Sequence, residues 1–387
     1  MTKRKLLLII SSIHSLFLVV CVFWFATLPP FFSKEDEVSL FSQIDKFLFT
    51  ENDKPSPDEL VFINTAYSPQ LIPIYDENGF QIGEEPITDR MELARLFRAL
   101  KDSKHRAVLC DMLFIDSTSV DSVLRKEIEA TPNLAVSSLS SADHLEPGIF
   151  NVTYGYAEYE GIDDLALKFR IAKNDSTKSV PLKLYEITED KRYNYGGYFS
   201  KIDSEWVLNN FVMNFRIRNF DIYRGNFKPI HLSEFVDMNP YVQMDIVKDK
   251  IVVIGDFMDN DQHDIVLGNI AGPLLILNVY YSLVHGDNIV NWFYLVFLFL
   301  GFAFISYLVF YPGNYFEQKS TLVKSKIIKR SLNFFELPFF VLLLSFISFS
   351  IFNHAIDTIV IYLYLVSLDW VFNYLAEKEI YMIYNHK

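Results

Sequence analysis

Seven side chains stand out as able to do chemistry together: Asp111, Asp116, Asp256, Asp259, Asp261, His263 and Asp264. Five of them crowd into residues 256–264. Carboxylates with one imidazole suit a hard divalent cation such as Mg²⁺, Ca²⁺ or Mn²⁺. The spacing fits no metal loop, however. There is neither a D-x-D-x-D-G run with a distal Glu nor an H-E-x-x-H, so the metal is left unassigned. A solvated acidic loop with helix-capping aspartates accounts for the pattern more simply. No G-x-S-x-G, G-x-G-x-x-G or phosphate-loop motif is present. Cys110 lies in an apolar run and reads as a small buried residue. Arg90 stands at a helix start, where solvation of the first turn explains it better than anion binding. No residue is therefore assigned to catalysis, no cofactor is called for, and the chain reads as a non-enzyme. A metal-dependent hydrolase built on the acidic loop is the alternative.

The elements that must position these residues follow from periodicity. Residues 251–254 form a buried apolar strand ending at Gly255. A loop follows, and Gly272-Pro273 opens a helix with Leu274, Leu277, Tyr281 and Val284 on one face. Residues 60–65 (LVFINT) and 107–114 (AVLCDMLF) read as strands, the second with Asp111 inside it. Between them Asp89 and Glu92 have the spacing of a helix start, and Leu93, Leu96, Phe97 and Leu100 form its buried stripe. Val120, Leu124 and Ile128 mark a second helix, and residues 134–138 a third strand. This alternation predicts an α/β fold with an open, mainly parallel sheet and flanking helices.

Such sheets bind ligands at the carboxyl ends of their strands. The candidate ligand-binding residues are accordingly Asn64, Thr65, Asp111, Asp116, Gly255, Asp256 and Asp259, with Asp256 foremost. Most are carboxylates, so a cationic or hydroxyl-rich ligand, or a metal, is favoured over an anion. Elsewhere, residues 38–49 read as an amphipathic helix and 67–85 as a polar loop. Residues 148–210 read as an irregular insertion, 211–218 as a half-exposed strand and 232–236 as a short helix.

The chain has 387 residues and a sharply uneven composition. Four windows, 6–28, 292–311, 334–352 and 356–376, are apolar and each near the ~20 residues needed to span a bilayer. Lys3, Arg4 and Lys5 precede the first. Lys319, Lys324, Lys326, Lys329 and Arg330 crowd the loop 313–333. By the positive-inside rule, both termini (1–5 and 377–387) and that loop face the cytoplasm and residues 30–290 lie outside. The first window reads as an uncleaved anchor. The outer segment is strongly acidic, which argues against nucleic acid or anionic lipid as partner. Its single cysteine, Cys110, leaves no intradomain disulfide, so the segment must stand on its hydrophobic core.

LVFINT, PITDRMELARLFRAL and AVLCDMLFID, followed later by FRIR, LSEFVDM, KDKIVVIGD and GPLLILNVYYSLVHGD, resemble the CHASE2 family of extracytoplasmic sensor domains. The order of all these segments carries the resemblance, over roughly residues 35–290. It implies one span before the domain and three after. Better-known members continue into a histidine kinase, a nucleotide cyclase or a diguanylate cyclase. Here only residues 377–387 follow the last span. The expectation is thus a stand-alone membrane sensor or receptor-like protein. It would bind a small ligand or an extracytoplasmic protein and signal through its helices to a separate membrane or cytoplasmic protein. A structural subunit of a membrane complex is a further alternative.

Overall fold

A computed structural model describes residues 3–28, 54–141, 144–146, 148–162, 165–197, 199–225, 227–258, 260–265, 268–311 and 326–377. The amphipathic stretch 38–49 and candidate residue Asp259 lie outside them. The described residues form two compact units, residues 54–288 and the helices on either side of them in sequence.

The larger unit is built on six parallel strands. In chain order they are β1 (Leu60–Asn64), β2 (Ala107–Cys110), β3 (Leu134–Ser138), β4 (Thr153–Tyr156), β5 (Ile230–His231) and β6 (Ile251–Gly255). They lie side by side as β5-β1-β6-β2-β3-β4. β1, β2, β3 and β6 are buried along their whole length, as expected of a parallel sheet covered on both faces. Period-2 alternation sends Val61, Ile63, Val108, Cys110, Val136, Val252 and Ile254 into one core. There they meet helices α1 (Arg90–Lys101), α2 (Asp121–Ile128), α4 (Leu232–Asp237) and α5 (Pro240–Val247). Against the opposite face pack α3 (Val180–Glu189) and α6 (Gly272–His285).

Helix α1 starts where its sequence says it should. The Asp89 carboxylate accepts from the amides of Met91 and Glu92 at 2.8 and 2.9 Å. The reciprocal half of the capping box is not used, because the Asp89 amide donates to the Ser68 carbonyl instead.

Several segments differ from their reading in sequence. The strand expected over 107–114 stops at Cys110, which sets Asp111 just beyond the strand end. Residues 67–85 are not a loop. Pro69–Tyr75 and Gln81–Thr88 pair as an antiparallel ribbon, closed by a turn in which Asp76 Oδ1 accepts from Asn78 and Phe80. Residues 148–210 are no irregular insertion either. They supply edge strand β4 and helix α3, which starts with Pro181 in its first turn and buries Leu182, Leu184 and Tyr185. They also supply strands Glu160–Ile162 and Leu165–Arg170 of a second sheet, in which Asn210–Val212, Leu165–Arg170, Gln262–Ile265 and Gly268–Ala271 lie in that order. Of residues 211–218, only the start is strand, and the stretch is buried rather than half-exposed.

In the second unit, helix Trp292–Phe310 packs against Lys3–Ala26, Lys326–Phe352 and Thr358–Glu377. Small residues permit the approach. A Cβ at Gly301 would overlap the Leu344 side chain, and Ser15 Oγ donates to the Phe299 carbonyl at 2.6 Å. His14 bridges to Ser306 at 2.8 Å and Tyr364 at 3.0 Å. Arg4–Ala26 and Trp292–Phe310 are long and apolar enough to cross a membrane. Leu337–Phe352 and Thr358–Phe372 are shorter apolar helices.

Candidate functional site

The carboxyl ends of β1, β6 and β2 lie together, joined beyond the strands by Thr65 N–H to the Gly255 carbonyl (3.0 Å) and Asp111 N–H to the Ile254 carbonyl (2.8 Å). Asn64 is buried there. Its side-chain oxygen accepts from Ala66 at 3.1 Å and Phe257 at 3.3 Å, tying the ends of β1 and β6 together. Thr65 is buried beside it. Gly255 is required by packing: a Cβ would run into the Pro273 ring and lie 3.4 Å from Asp111 Cβ. This is where the first turn of α6 meets the sheet. Asp256 is spent on its own loop. Oδ1 accepts from the Met258 amide at 2.7 Å and Oδ2 from Asn260 at 3.2 Å, an Asx turn.

Asp111 is different. It is half-buried, and its pKa is pushed up to about 7. Burial is the main cause and the charge of Asp261 the second; the Ser137 hydroxyl and His263 pull the other way. That hydroxyl, at the carboxyl end of β3, is buried and makes no well-formed hydrogen bond of its own. Opposite Asp111 runs a side-chain chain. Asp261 Oδ1 lies 3.0 Å from His263 Nε2, and His263 Nδ1 lies 3.3 Å from the Tyr159 hydroxyl. Tyr159 also meets the imidazole edge-on at 5.2 Å. The pKa of His263 is raised, first by its hydrogen bond to Asp261. Partial burial opposes this, and the charges of Asp261 and Asp111 add to it. The Asp261 carboxylate also packs against Gly272, the first residue of α6, where any Cβ would collide with it. That is the helix end at which negative charge is stabilised.

Asp116 and Arg90 belong to a neighbouring cluster. Arg90 is 2 % exposed. Its guanidinium sits 4.7 Å from the Phe114 ring centroid, donates to the Asp116 carbonyl at 3.4 Å and places Nε 3.9 Å from Asp121. Burial lowers its pKa, and Asp121 is the chief counterweight. Asp121 in turn accepts from both the amide and the hydroxyl of Thr118. Asp264 is exposed on the strand that carries His263. Cys110 is fully buried, and burial pushes its thiol pKa up. Among the described residues no three His, Cys, Asp or Glu side chains form a set able to hold a metal.

The fold thus gathers Asp111, Asp261 and His263 with Tyr159 and Ser137, two residues outside the acidic loop. Tyr159 lies 104 positions before His263, and nothing in its local sequence marks it. A second polar centre ties α6 to residues 216–217. Asn278 on α6 accepts from the amides of Arg216 and Ile217 and donates to the carbonyls of Ile217 and Leu274. Arg216 forks onto Asp287 at 2.7 and 2.9 Å.

A family model, the CHASE2 domain, matches residues 57–309, well over half of the chain. The chain belongs to the CHASE2 domain family. CHASE2 domains are extracytoplasmic sensors, and the match takes in the parallel sheet, both polar centres and all but the last residue of helix Trp292–Phe310. No curated protein and no solved structure matches the chain.

Proposed function

We propose that this CHASE2 protein is a membrane-anchored sensor whose ligand binds at the carboxyl edge of the sheet, on Asp111 and His263. The supporting observation is Asp111 itself, a half-buried carboxyl just past a strand end with, among the described residues, no cation in hydrogen-bonding contact. It faces an imidazole already oriented by Asp261 and Tyr159. Such a group is poised to accept an ammonium or a hydroxyl donor. A ligand cation beside it favours the ionised form, so binding at neutral pH releases a proton. Tyr159 and His263 supply further hydrogen-bonding atoms for a hydroxyl-rich ligand. In this reading Asn64, Gly255 and Asp256 build the rim and do not touch the ligand.

The membrane part of the proposal is that residues 30–290 lie outside the cytoplasmic membrane and that four helices anchor them. The signal leaves through those helices to a separate protein. The basic loop 313–333 supports the orientation. A reporter active only outside the cytoplasm should work when fused after Lys228 and fail after Lys324; the reverse pattern overturns it. The site is tested by thermal unfolding of the full chain in lipid nanodiscs against a panel of small amines and polyols. Compounds that raise Tm in the native protein should lose that effect in Asp111→Asn and His263→Gln. Equal stabilisation of all three proteins would remove the site. Turnover of phosphate or peptide esters that depends on added metal would favour the hydrolase instead.

A further inference from the structure

The ribbon Pro69–Tyr75/Gln81–Thr88 has no role in the core or in the site above. It is nevertheless well built, with seven cross-strand pairs and an ordered turn in which Gly79 takes φ +82°. An isolated two-stranded ribbon is marginal in water, and this one carries large apolar side chains outward. Leu71 is 60 % exposed, Ile82 67 % and, at the tip, Phe80 71 %. Leu71 and Pro73 pair with Pro86 and Glu84 on one face, and Ile82 lies at the register shift opposite Ile74 and Tyr75.

Two features narrow what covers that face. The edges are blunted, because Pro69, Pro73 and Pro86 offer no N–H to an added strand. An edge-to-edge pairing with a second copy is therefore disfavoured, and the occupant lies on the face. The charge is one-sided. Asp76, Glu77, Glu84 and Glu85 lie on the ribbon, and no Lys or Arg occurs between Lys54 and Arg90. A second acidic ribbon or an anionic bilayer would be repelled. We infer that the ribbon is a docking arm for a basic polypeptide with an apolar face, distinct from the carboxyl-edge ligand site and independent of what binds there.

The test uses the full chain in nanodiscs of zwitterionic lipid. The probes are fluorescent peptides of alternating Lys and Val, alternating Glu and Val, and alternating Lys and Ser. The Lys/Val peptide should bind, more weakly as salt is raised, and the other two should not. Glu84→Lys/Glu85→Lys and, separately, Leu71→Ser/Phe80→Ser/Ile82→Ser should each lower its affinity at least about tenfold. Their unfolding transitions should match the native protein, since these side chains are exposed. Indifference of binding to peptide charge, or to both variants, overturns the inference. So does a native dimer, seen by sedimentation, that the variants dissociate, because the occupant is then a second copy. A blue shift of Phe80→Trp emission on adding phosphatidylglycerol vesicles would make lipid the occupant and overturn it as well.

Discussion

Asp287 and Asp111 are both carboxylates of the same domain, and their surroundings are opposites. Asp287 is buried, forked by Arg216, and held in a network in which Asn278 satisfies two amides and two carbonyls. Asp111 has the nearby charge of Asp261, a Ser137 hydroxyl without a well-formed bond and, among the described residues, no forked cation. A buried network whose charges are paired fixes one arrangement, even though the Arg216 Nε in it makes no hydrogen bond. A half-open carboxyl leaves bonding capacity to a ligand. The Arg216 centre also ends where the chain leaves the domain. Asn288 donates to the Leu208 carbonyl and accepts from the Leu208 amide, three residues before Asn291 caps helix Trp292–Phe310. One centre holds the domain's exit in place, and the other is left open.

The largest effect should come from breaking the closed centre. Asp287→Ala leaves Arg216 buried without its partner and should cost about 3–5 kcal/mol, read as a lower denaturant midpoint of the full chain. A cost under about 1 kcal/mol would mean that water already reaches the pair. Asn278→Ala strands buried amides and should cost about 2–3 kcal/mol in the same measurement.

The open centre should respond to pH instead. The folded pKa of Asp111 is raised above its unfolded value, so the folded state holds the proton more tightly. Its contribution is fully present below about pH 4 and is lost as pH rises through about 7. The raised pKa of His263 works in the same direction, with its contribution lost as pH rises past its ordinary range. The native protein should therefore lose stability between pH 5 and pH 8. Asp111→Asn should flatten that slope and be about 1–2 kcal/mol more stable than the native protein at pH 8. An unchanged slope would show that the carboxyl is ordinarily solvated. The smallest effect belongs to Asp256→Ala, which removes one Asx turn at the rim. It should cost about 0.5–1 kcal/mol without altering the pH slope or ligand-induced stabilisation.

The parallel sheet was legible in the sequence because local pattern and global fold agree there. β1, β2 and β6 are nearly continuous apolar runs, β3 begins as one, and α1 and α2 carry clear stripes. Residues 148–210 were not legible, because their strands are short and their partners distant. Leu165–Arg170, for example, pairs with Gln262–Ile265 nearly 100 positions away. The ribbon 69–88 was obscured by its prolines and its exposure on both faces. At the site, the strand-end rule led to Asn64, Gly255 and Asp256, whose roles in the structure are a clamp, a close approach and a turn. The same rule named Asp111 but not His263, which the sequence offered only as part of the acidic loop. It carried no signal for Tyr159 or Ser137, which only the tertiary fold brings there.

The central claim, that the edge cluster takes a ligand through Asp111, is tested most directly by calorimetry. The full chain in nanodiscs is titrated at pH 7 with an amine that stabilises it, in two buffers of different ionisation heat. The account predicts a proton released on binding by the native protein, none from Asp111→Asn, and release retained in Asp256→Ala. Binding with no proton release in the native protein, or with release unchanged in Asp111→Asn, would contradict it.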